Sequence, residues 1–369
     1  MSGGFAPAER RFMEQALALA AVAEGTTSPN PRVGCVLVHD GAVVGRGFHA
    51  AAGGPHAEAL AVAVAGERAR GATLYVNLEP CAHHGRTAPC TDALIGSGVT
   101  RVVAAHQDPN PLVDGRGFAA LRAGGVRVEV GLLARESEEL NAPFLAVHGH
   151  GLPLVTLKAG VSLDGRISAR AGRARWITGP LARRFAHRLR LAHDALLVGA
   201  GTVRADDPEL SVRLPGPPAA RLRVVLSARL ALDPRAAVFR ALPGAPRTRV
   251  YTGSRAPAAA EATLSAVADV IRVADVEGGL DLASVLRDLV AAGVQAVLVE
   301  GGGHTHARFL AAGLARRVAL FVAPTLLGAR GATPLVDGPS ATSPEHGLRI
   351  SARRIVPLGT DLLVLGGIG

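Results

Sequence analysis

His56-Ala57-Glu58, then Glu79-Pro80-Cys81 and Cys90 downstream, are the residues whose types could do chemistry together. Two thiolates and one imidazole make three protein ligands for Zn²⁺. A fourth position left to water is what a catalytic zinc, as opposed to a structural one, requires. Zinc lowers the pKa of such a water to about 7, so a nucleophile becomes available near neutrality. Glu58 is the proton carrier this site lacks, close to the metal without having to bind it. The stretch EPCAHHGRTAPC also contains His83 and His84, which are rival ligands, and eight residues separate its two cysteines. A tight C-x-x-C knuckle has two. The cysteines lie at the ends of expected elements, which fix position well. The histidines lie on a Gly- and Pro-bounded loop that suits contact with a substrate. Taken singly, His56 reads as a helix-end histidine and Cys35 as a core residue of an apolar strand; only the set speaks for zinc.

The elements that must position this set follow from the pattern. Residues 9–24 read as a helix. NPRVGCVLVHDGAVVGRGFH reads as two strands joined by Asp40-Gly41, a strong hairpin signal. PHAEALAVAVAG is a helix with Pro55 at its mouth and Gly66 past its end. ATLYVNLE is a strand that delivers Cys81, and TDALIGSG is a helix that begins just after Cys90. Two helix N-termini facing the thiolates favour their negative charge. TRVVAAHQDP, GFAALRAGG and RVEVGLL continue as strand, helix and strand, with a last helix near Arg135–Leu145. Such alternation predicts an α/β layer. His148-Gly149-His150-Gly151, followed by Pro153, marks a domain boundary, giving halves of 1–148 and 152–369.

In the second half, strands are expected at LVTLKAGVSL, DALLVGA, LRVVLSA, RVYTG, DVIRV, QAVLVEGGG and VALFVAPTLL, with helices near 180–192, 281–292 and 304–312. LVEGGGHTHARFL reads as strand, glycine turn and helix. Exposed N–H groups at that helix start suit a phosphate or pyrophosphate. The spacing is not G-x-G-x-x-G, and a plain tight loop is the alternative. Arg190, Arg204 and Arg213 are candidate phosphate partners through their planar forks, although any one alone reads as a solvated surface residue. Lys158 is the only lysine among 40 basic residues. A compact ammonium in a chain that otherwise uses arginine points to a specific need. Asp206 is the acidic candidate near the same centre.

At 369 residues, two domains are expected. Apolar content of 49% with 19% charged residues describes a globular chain. The net charge of +10 rests almost wholly on scattered arginine, a compositional habit that argues weakly for nucleic acid and equally for anionic small molecules. Three cysteines imply no disulfide framework, and free thiols suit a reducing compartment. Arg10-Arg11 and ALALAAVA imitate a signal peptide, but Glu14 and Gln15 interrupt the run, so an amphipathic helix is the better reading. No stretch approaches eighteen uninterrupted apolar residues.

H-x-E followed by P-C and a later Cys resembles the cytidine and deoxycytidylate deaminase superfamily, whose usual signature is H-x-E…P-C-x-x-C. With TSPNPRVGCV, GFHAAAGGPHAE, LEPCAHHGRTAPC and QDPNPLVDGRG, residues from about 9 to 145 resemble the deaminase half of the bifunctional riboflavin-biosynthesis deaminase–reductase family. The eight-residue gap enclosing His-His-Gly-Arg-Thr is that family's form of the motif. The resemblance implies zinc on His56, Cys81 and Cys90, with Glu58 as general acid/base. It also implies substrate contact by Asn30, and by His83 from its loop. LKAGVSLDGR, RWITG, VGAGTVRADDPELSVR and LVEGGGHTHARFL resemble the reductase half. This implies NADPH, with cofactor positions at Gly160, Trp176, Thr202, Asp206, Ser227, Gly302, Gly303, His304, Thr305, His306, Ala307 and Arg308. Substrate positions fall on Ala174, Arg190, Leu210, Arg213 and Glu300, and catalysis on Lys158 and Asp206. Ala174 stands where the family commonly has serine, and Gly160 replaces a usual alanine.

The expected fold is α/β: an N-terminal cytidine-deaminase-like α/β/α domain followed by a C-terminal dihydrofolate-reductase-like α/β domain. The expected function is zinc-dependent hydrolytic deamination of a phosphorylated diaminopyrimidinone, then NADPH reduction of its ribosyl group. The expected setting is a cytoplasmic homo-oligomer acting on small phosphorylated pyrimidines, without nucleic acid or membrane. The rival readings are a tRNA or nucleotide deaminase with an accessory domain, and an RNA-binding or regulatory module with structural zinc. The latter needs His83 or His84 as a fourth ligand and gives Glu58 no purpose.

Overall fold

Asp40 and Gly41 adopt left-handed φ values of 48° and 75°. They form a two-residue turn of the kind that matches the twist of the strands it joins. The turn pairs β1 (Gly34–His39) with β2 (Ala42–Phe48) in antiparallel register, His39 opposite Ala42. β3 (Thr73–Val76) lies antiparallel on the other side of β1, and β4 (Arg101–Ala104) and β5 (Arg127–Val130) follow in parallel. The sheet order is β2-β1-β3-β4-β5. Side chains alternate across it, as the two-residue period of a strand requires. Cys35, Leu37, Leu74 and Val76 share one buried cluster with residues of α2 (Ala57–Ala65), α3 (Cys90–Gly96) and α4 (Arg116–Ala123). Val36, Val38 and Tyr75 share another with Met13 and Ala16 of α1 (Pro7–Val22). The result is an α/β/α layering.

This computed structural model describes residues 4–83, 88–169, 176–215, 220–339 and 341–369. It divides into two units, Met1–Gly151 and Leu152–Gly369. The end of the first unit departs from the sequence reading. In place of one helix near Arg135–Leu145 there are two, α5 (Ala134–Leu140) and α6 (Ala142–His150), broken at Asn141. Asn141 turns its side chain away to bond the backbone of Arg32, accepting from its N–H at 2.8 Å and donating to its carbonyl at 3.0 Å. Asparagine competes for backbone partners in this way and so interrupts helices. His148–His150, part of the run read as a domain boundary, is the last turn of α6. Gly151 ends the helix at φ 67°.

In the second unit seven parallel strands precede two antiparallel ones. β6 (Leu154–Ser162), β7 (Ala195–Gly199), β8 (Leu222–Leu226), β9 (Thr248–Thr252), β10 (Ala268–Arg272), β11 (Ala296–Val299) and β12 (Arg317–Ala323) are extended by a hairpin of β13 (Ile350–Leu358) and β14 (Asp361–Ile368). The order is β10-β9-β8-β7-β11-β6-β12-β14-β13. Helices α7 (Pro180–Leu191), α8 (Ala200–Asp206), α9 (Ala258–Ser265), α10 (Leu282–Ala291) and α11 (Gly303–Ala311) connect the parallel strands. Both sheet faces are buried, by clusters around Leu197 and Val297 on one side and Leu196 and Leu298 on the other. That is why these strands read as continuous apolar runs. Among the described residues, no helix is long and apolar enough to cross a membrane.

One contact controls how α2 meets the first sheet. A Cβ placed on Gly47 of β2 would overlap the carbonyl oxygen of Ala57 in the first turn of α2. Gly47→Ala should therefore destabilise the first unit by about 1–3 kcal/mol, the usual cost of overpacking. Gly149→Ala is the control: it lies within α6 with open space around it, and alanine there should gain about 0.5–1 kcal/mol. Thermal unfolding of the two variants checks both signs.

Candidate metal centre and cofactor cavity

His56 is the N-cap of α2, Cys81 follows the end of β3, and Cys90 is the first residue of α3. Three separate chain segments thus end at one point. His56 Nδ1 lies 3.1 Å from Cys90 Sγ and 3.5 Å from Cys81 Sγ, and the three donor atoms all fall within 4.8 Å of one another. Tetrahedral zinc with bonds of about 2.0–2.3 Å needs donors roughly 3.5–3.8 Å apart, so the set fits that ion and its chemistry. Thr91 donates its N–H to the Cys81 carbonyl at 3.2 Å, tying the two cysteine segments together. The Cys81 thiol is pushed down to about 4, chiefly by its hydrogen bond with Cys90 and then by His56. Cys90 is held up by its hydrogen bond to Cys81 and then by burial. Glu58, two residues beyond His56, is 3% exposed. Burial raises its carboxyl above the usual range, and the Cys81 charge pushes the same way.

His83 lies outside the three-donor group, and its Nδ1 is buried with no hydrogen-bond partner among the described residues. His84 and the rest of the loop to Thr87 lie outside the described residues. Asn30 Nδ2 meets His49 Nε2 at 3.0 Å, while His49 Nδ1 meets the Pro55 carbonyl at 3.0 Å. A carbonyl can only accept, so Nδ1 carries the proton and Nε2 accepts from Asn30. His49 was not singled out from sequence, because a lone histidine beyond a strand carries no local signature. Glu79, quoted only as part of a motif, accepts the N–H groups of Asp108, Gly115 and Phe118 at 3.2, 3.0 and 3.1 Å. It thereby fixes the loop from β4 to α4. Asp108 on that loop is buried, which pushes its carboxyl up to about 6.

The second unit holds a cavity of about 1940 Å³ along the carboxyl ends of β6, β7, β8 and β11. Ligands of open α/β sheets bind in that position. The volume exceeds the roughly 300–1,000 Å³ of a drug-sized site and leaves room for a dinucleotide beside a substrate. Gly160, Trp176, Thr202, Asp206, Ser227, Gly302, Gly303, His304, Thr305 and Arg308 line it, as do Lys158, Arg190, Leu210, Arg213 and Glu300. His306 and Ala307 are buried and do not line it; His306 Nδ1 meets the Leu335 carbonyl at 3.0 Å. Ala174 lies outside the described residues. Gly302 caps α11 and donates its N–H to Thr202 Oγ1 at 3.2 Å, and neither Gly302 nor Gly303 puts a side chain over the helix mouth. That arrangement fits a pyrophosphate. Glu300 is buried between two cations, Lys158 Nζ at 3.1 Å and the bidentate fork of Arg190 at 2.6 and 3.0 Å. Lys158 first, then Arg190, hold its carboxyl far below the usual range against the cost of burial. The carboxylate that pairs with Lys158 is thus Glu300; Asp206 is exposed at the cavity wall. Leu210 is buried at a left-handed φ of 53°, a strained conformation of the kind that collects at binding sites.

Residues 7–106 match the cytidine and deoxycytidylate deaminase zinc-binding region, and residues 153–364 match the RibD C-terminal domain. The riboflavin biosynthesis protein RibD of Bacillus amyloliquefaciens is 39% identical, over 96% of this chain and 95% of its own length. This chain belongs to the RibD family. It is a two-domain enzyme of riboflavin biosynthesis, with a deaminase and a reductase domain. Among solved structures, Acinetobacter baumannii RibD (form 1) superposes with a TM-score of 0.88 at 35% identity, covering 98% of this chain and 99% of that one. The diaminohydroxyphosphoribosylaminopyrimidine deaminase/5-amino-6-(5-phosphoribosylamino)uracil reductase of Thermotoga maritima superposes with a TM-score of 0.82 at 33% identity, with the same coverage.

If the three-donor group is the zinc centre, Cys90→Ser should cut metal content to near zero. Cys35→Ser, at a core cysteine of β1, should keep about one zinc per chain. Elemental analysis of the purified proteins separates the two.

Proposed function

We propose that His56, Cys81 and Cys90 hold zinc, and that Glu58 moves the protons, in hydrolytic deamination of 2,5-diamino-6-ribosylamino-4(3H)-pyrimidinone 5′-phosphate. The observation that carries this reading is the meeting of the three donors beside a buried carboxyl. When bound, zinc supplies the Lewis acidity that makes water a nucleophile near pH 7. Glu58 takes a proton from the attacking water and passes it to the ring nitrogen next to C2; it then takes the second proton from the new C2 hydroxyl and hands it to the departing amine as the carbonyl forms. Its raised pKa suits a group that must both accept and release a proton near neutrality. Ammonia leaves and a uracil ring remains. Asn30, held in one orientation by His49, and His83 on its loop contact the ring.

In the second unit, NADPH is the proposed cofactor and supplies the hydride that converts the ribosyl group to ribityl. The product is 5-amino-6-ribitylamino-uracil 5′-phosphate. The mouth of α11 with Thr202 takes the cofactor's pyrophosphate, while Trp176, Asp206 and Ser227 line its path. Lys158, fixed by Glu300, presents a positive donor to the sugar oxygen as the ribose ring opens. Arg190, Leu210 and Arg213 form the substrate's wall. The name and 33% identity of the Thermotoga maritima relative support this order of reactions.

A coupled assay that follows ammonia and NADPH separately tests the reading. Glu58→Gln should keep its zinc, lose about 10²–10⁴-fold in ammonia release, and still reduce supplied deaminated intermediate at the wild-type rate. Lys158→Met should show the converse, with normal ammonia release and reduction lowered by at least about 10²-fold. Wild-type deamination by Glu58→Gln would remove the proton-carrier role. Undiminished reduction by Lys158→Met would remove the lysine.

A further inference from the structure

His187 lines the cavity of the second unit one helical turn before Arg190, so the two side chains share a face of α7. Both grip the extended segment that follows α8. Arg190 Nη1 donates to the Ser211 carbonyl at 2.8 Å, and the Arg213 N–H donates to His187 Nδ1 at 3.2 Å. A backbone N–H can only donate, so Nδ1 carries no proton. A neutral imidazole must then carry its proton on Nε2. Among the described residues Nε2 has no partner, so a donor of fixed tautomer is left for whatever fills the cavity.

The charges around it determine what kind of donor it is. Burial, then Arg190 and Arg213, push the His187 imidazole down to about 4, with Lys158 adding to the effect and Glu300 opposing it. His187 therefore stays neutral at ordinary pH. Arg190 and Lys158 both spend their charge on Glu300, whereas the Arg213 guanidinium is exposed and in no ion pair among the described residues. A donor-only imidazole next to an unspent guanidinium suits an acceptor-only anion.

We propose that His187 is a substrate-binding residue of the reductase half: its Nε2–H donates to the phosphate of the phosphorylated ribosyl substrate, and its Nδ1 holds the Arg213 backbone so that Arg213 meets the same phosphate. This rests on the reading that places the reductase substrate in this cavity.

Asparagine can imitate the Nδ1 acceptor but not the distant donor; glutamine can imitate the donor. The test is steady-state reduction by the full-length chain, with NADPH and the deaminated phosphorylated intermediate. His187→Asn should raise KM for that intermediate about ten- to a hundredfold, the worth of one hydrogen bond to a charged group. Its kcat should stay within about twofold, and KM for NADPH should not move. His187→Gln should recover much of the loss. The inhibition constant of inorganic phosphate should weaken in His187→Asn by a similar factor, and the dephosphorylated substrate should not distinguish it from wild type. The unchanged KM for NADPH confirms that the second unit of each variant is folded.

An unchanged KM in His187→Asn, or an equal loss on the dephosphorylated substrate, overturns the assignment while the wild type still reduces the intermediate. A wild type that oxidises no NADPH with the intermediate overturns the underlying reading, and this assignment with it.

Discussion

The carbonyl of Ala57 rests against Gly47, where no side chain could stand, and the first site depends on that closeness. It seats the first turn of α2 directly on β2, so that His56 and Glu58 approach the end of β3 together. The same device recurs at Gly45, where a Cβ would overlap the Ala61 carbonyl one turn further along the helix. Cys81 has to be equally well placed from the other side. Glu79, two residues before it, spends its whole carboxylate on three backbone N–H groups of the β4–α4 connection. A charged acceptor bonded in this way is costly to displace. The three candidate ligands are thus held by backbone packing and a buried carboxylate in addition to their contacts with one another.

The second site depends on a different constraint, the burial of Glu300. An isolated carboxylate at that depth would be prohibitively costly, and two cations at hydrogen-bond distance make it tolerable. The arrangement also consumes charge. Lys158 and Arg190 share the single negative charge of Glu300, so with Arg213 the group keeps a net charge of +2 while the Lys158 ammonium is fixed in place. A freely hydrated lysine would lack that fixed direction, and arginine would present a broad fork in place of a point donor. The only lysine of the chain therefore sits where its particular shape matters.

Most strands and the larger helices were legible because their apolar periods are strong and their ends carry Pro, Gly or an Asp-Gly turn. The candidate zinc set was legible for a related reason: His56 and Cys90 stand at helix starts, and Cys81 lies in the stretch that follows a strand. What escaped was decided by distant partners. Asn141 breaks a helix because Arg32, more than a hundred residues earlier, offers it backbone groups. The β13–β14 hairpin escaped because arginines, glycines and exposed Ile350, Ile355 and Leu362 blur its alternation at the sheet edge. His49 and Glu79 act only through groups far along the chain. Of the run from Gly302 to Arg308, sequence alone could not say which residues face the ligand. The segment 335–338 covers His306 and Ala307, and the others are left on the cavity.

Both halves place reactive side chains where a strand's carboxyl end meets a helix start, yet they use that geometry for opposite charges. In the first unit the helix mouths of α2 and α3 face thiolates, and the partial positive charge there favours the ionised ligands a dication needs. In the second, Gly302 and Gly303 put no side chain at the start of α11, which suits the anion proposed to bind there. Cysteine as the first residue of α3 puts a thiol at that point, whereas at the first residue of α11 a Cβ on Gly303 would overlap the Pro334 carbonyl, so glycine is what the packing admits.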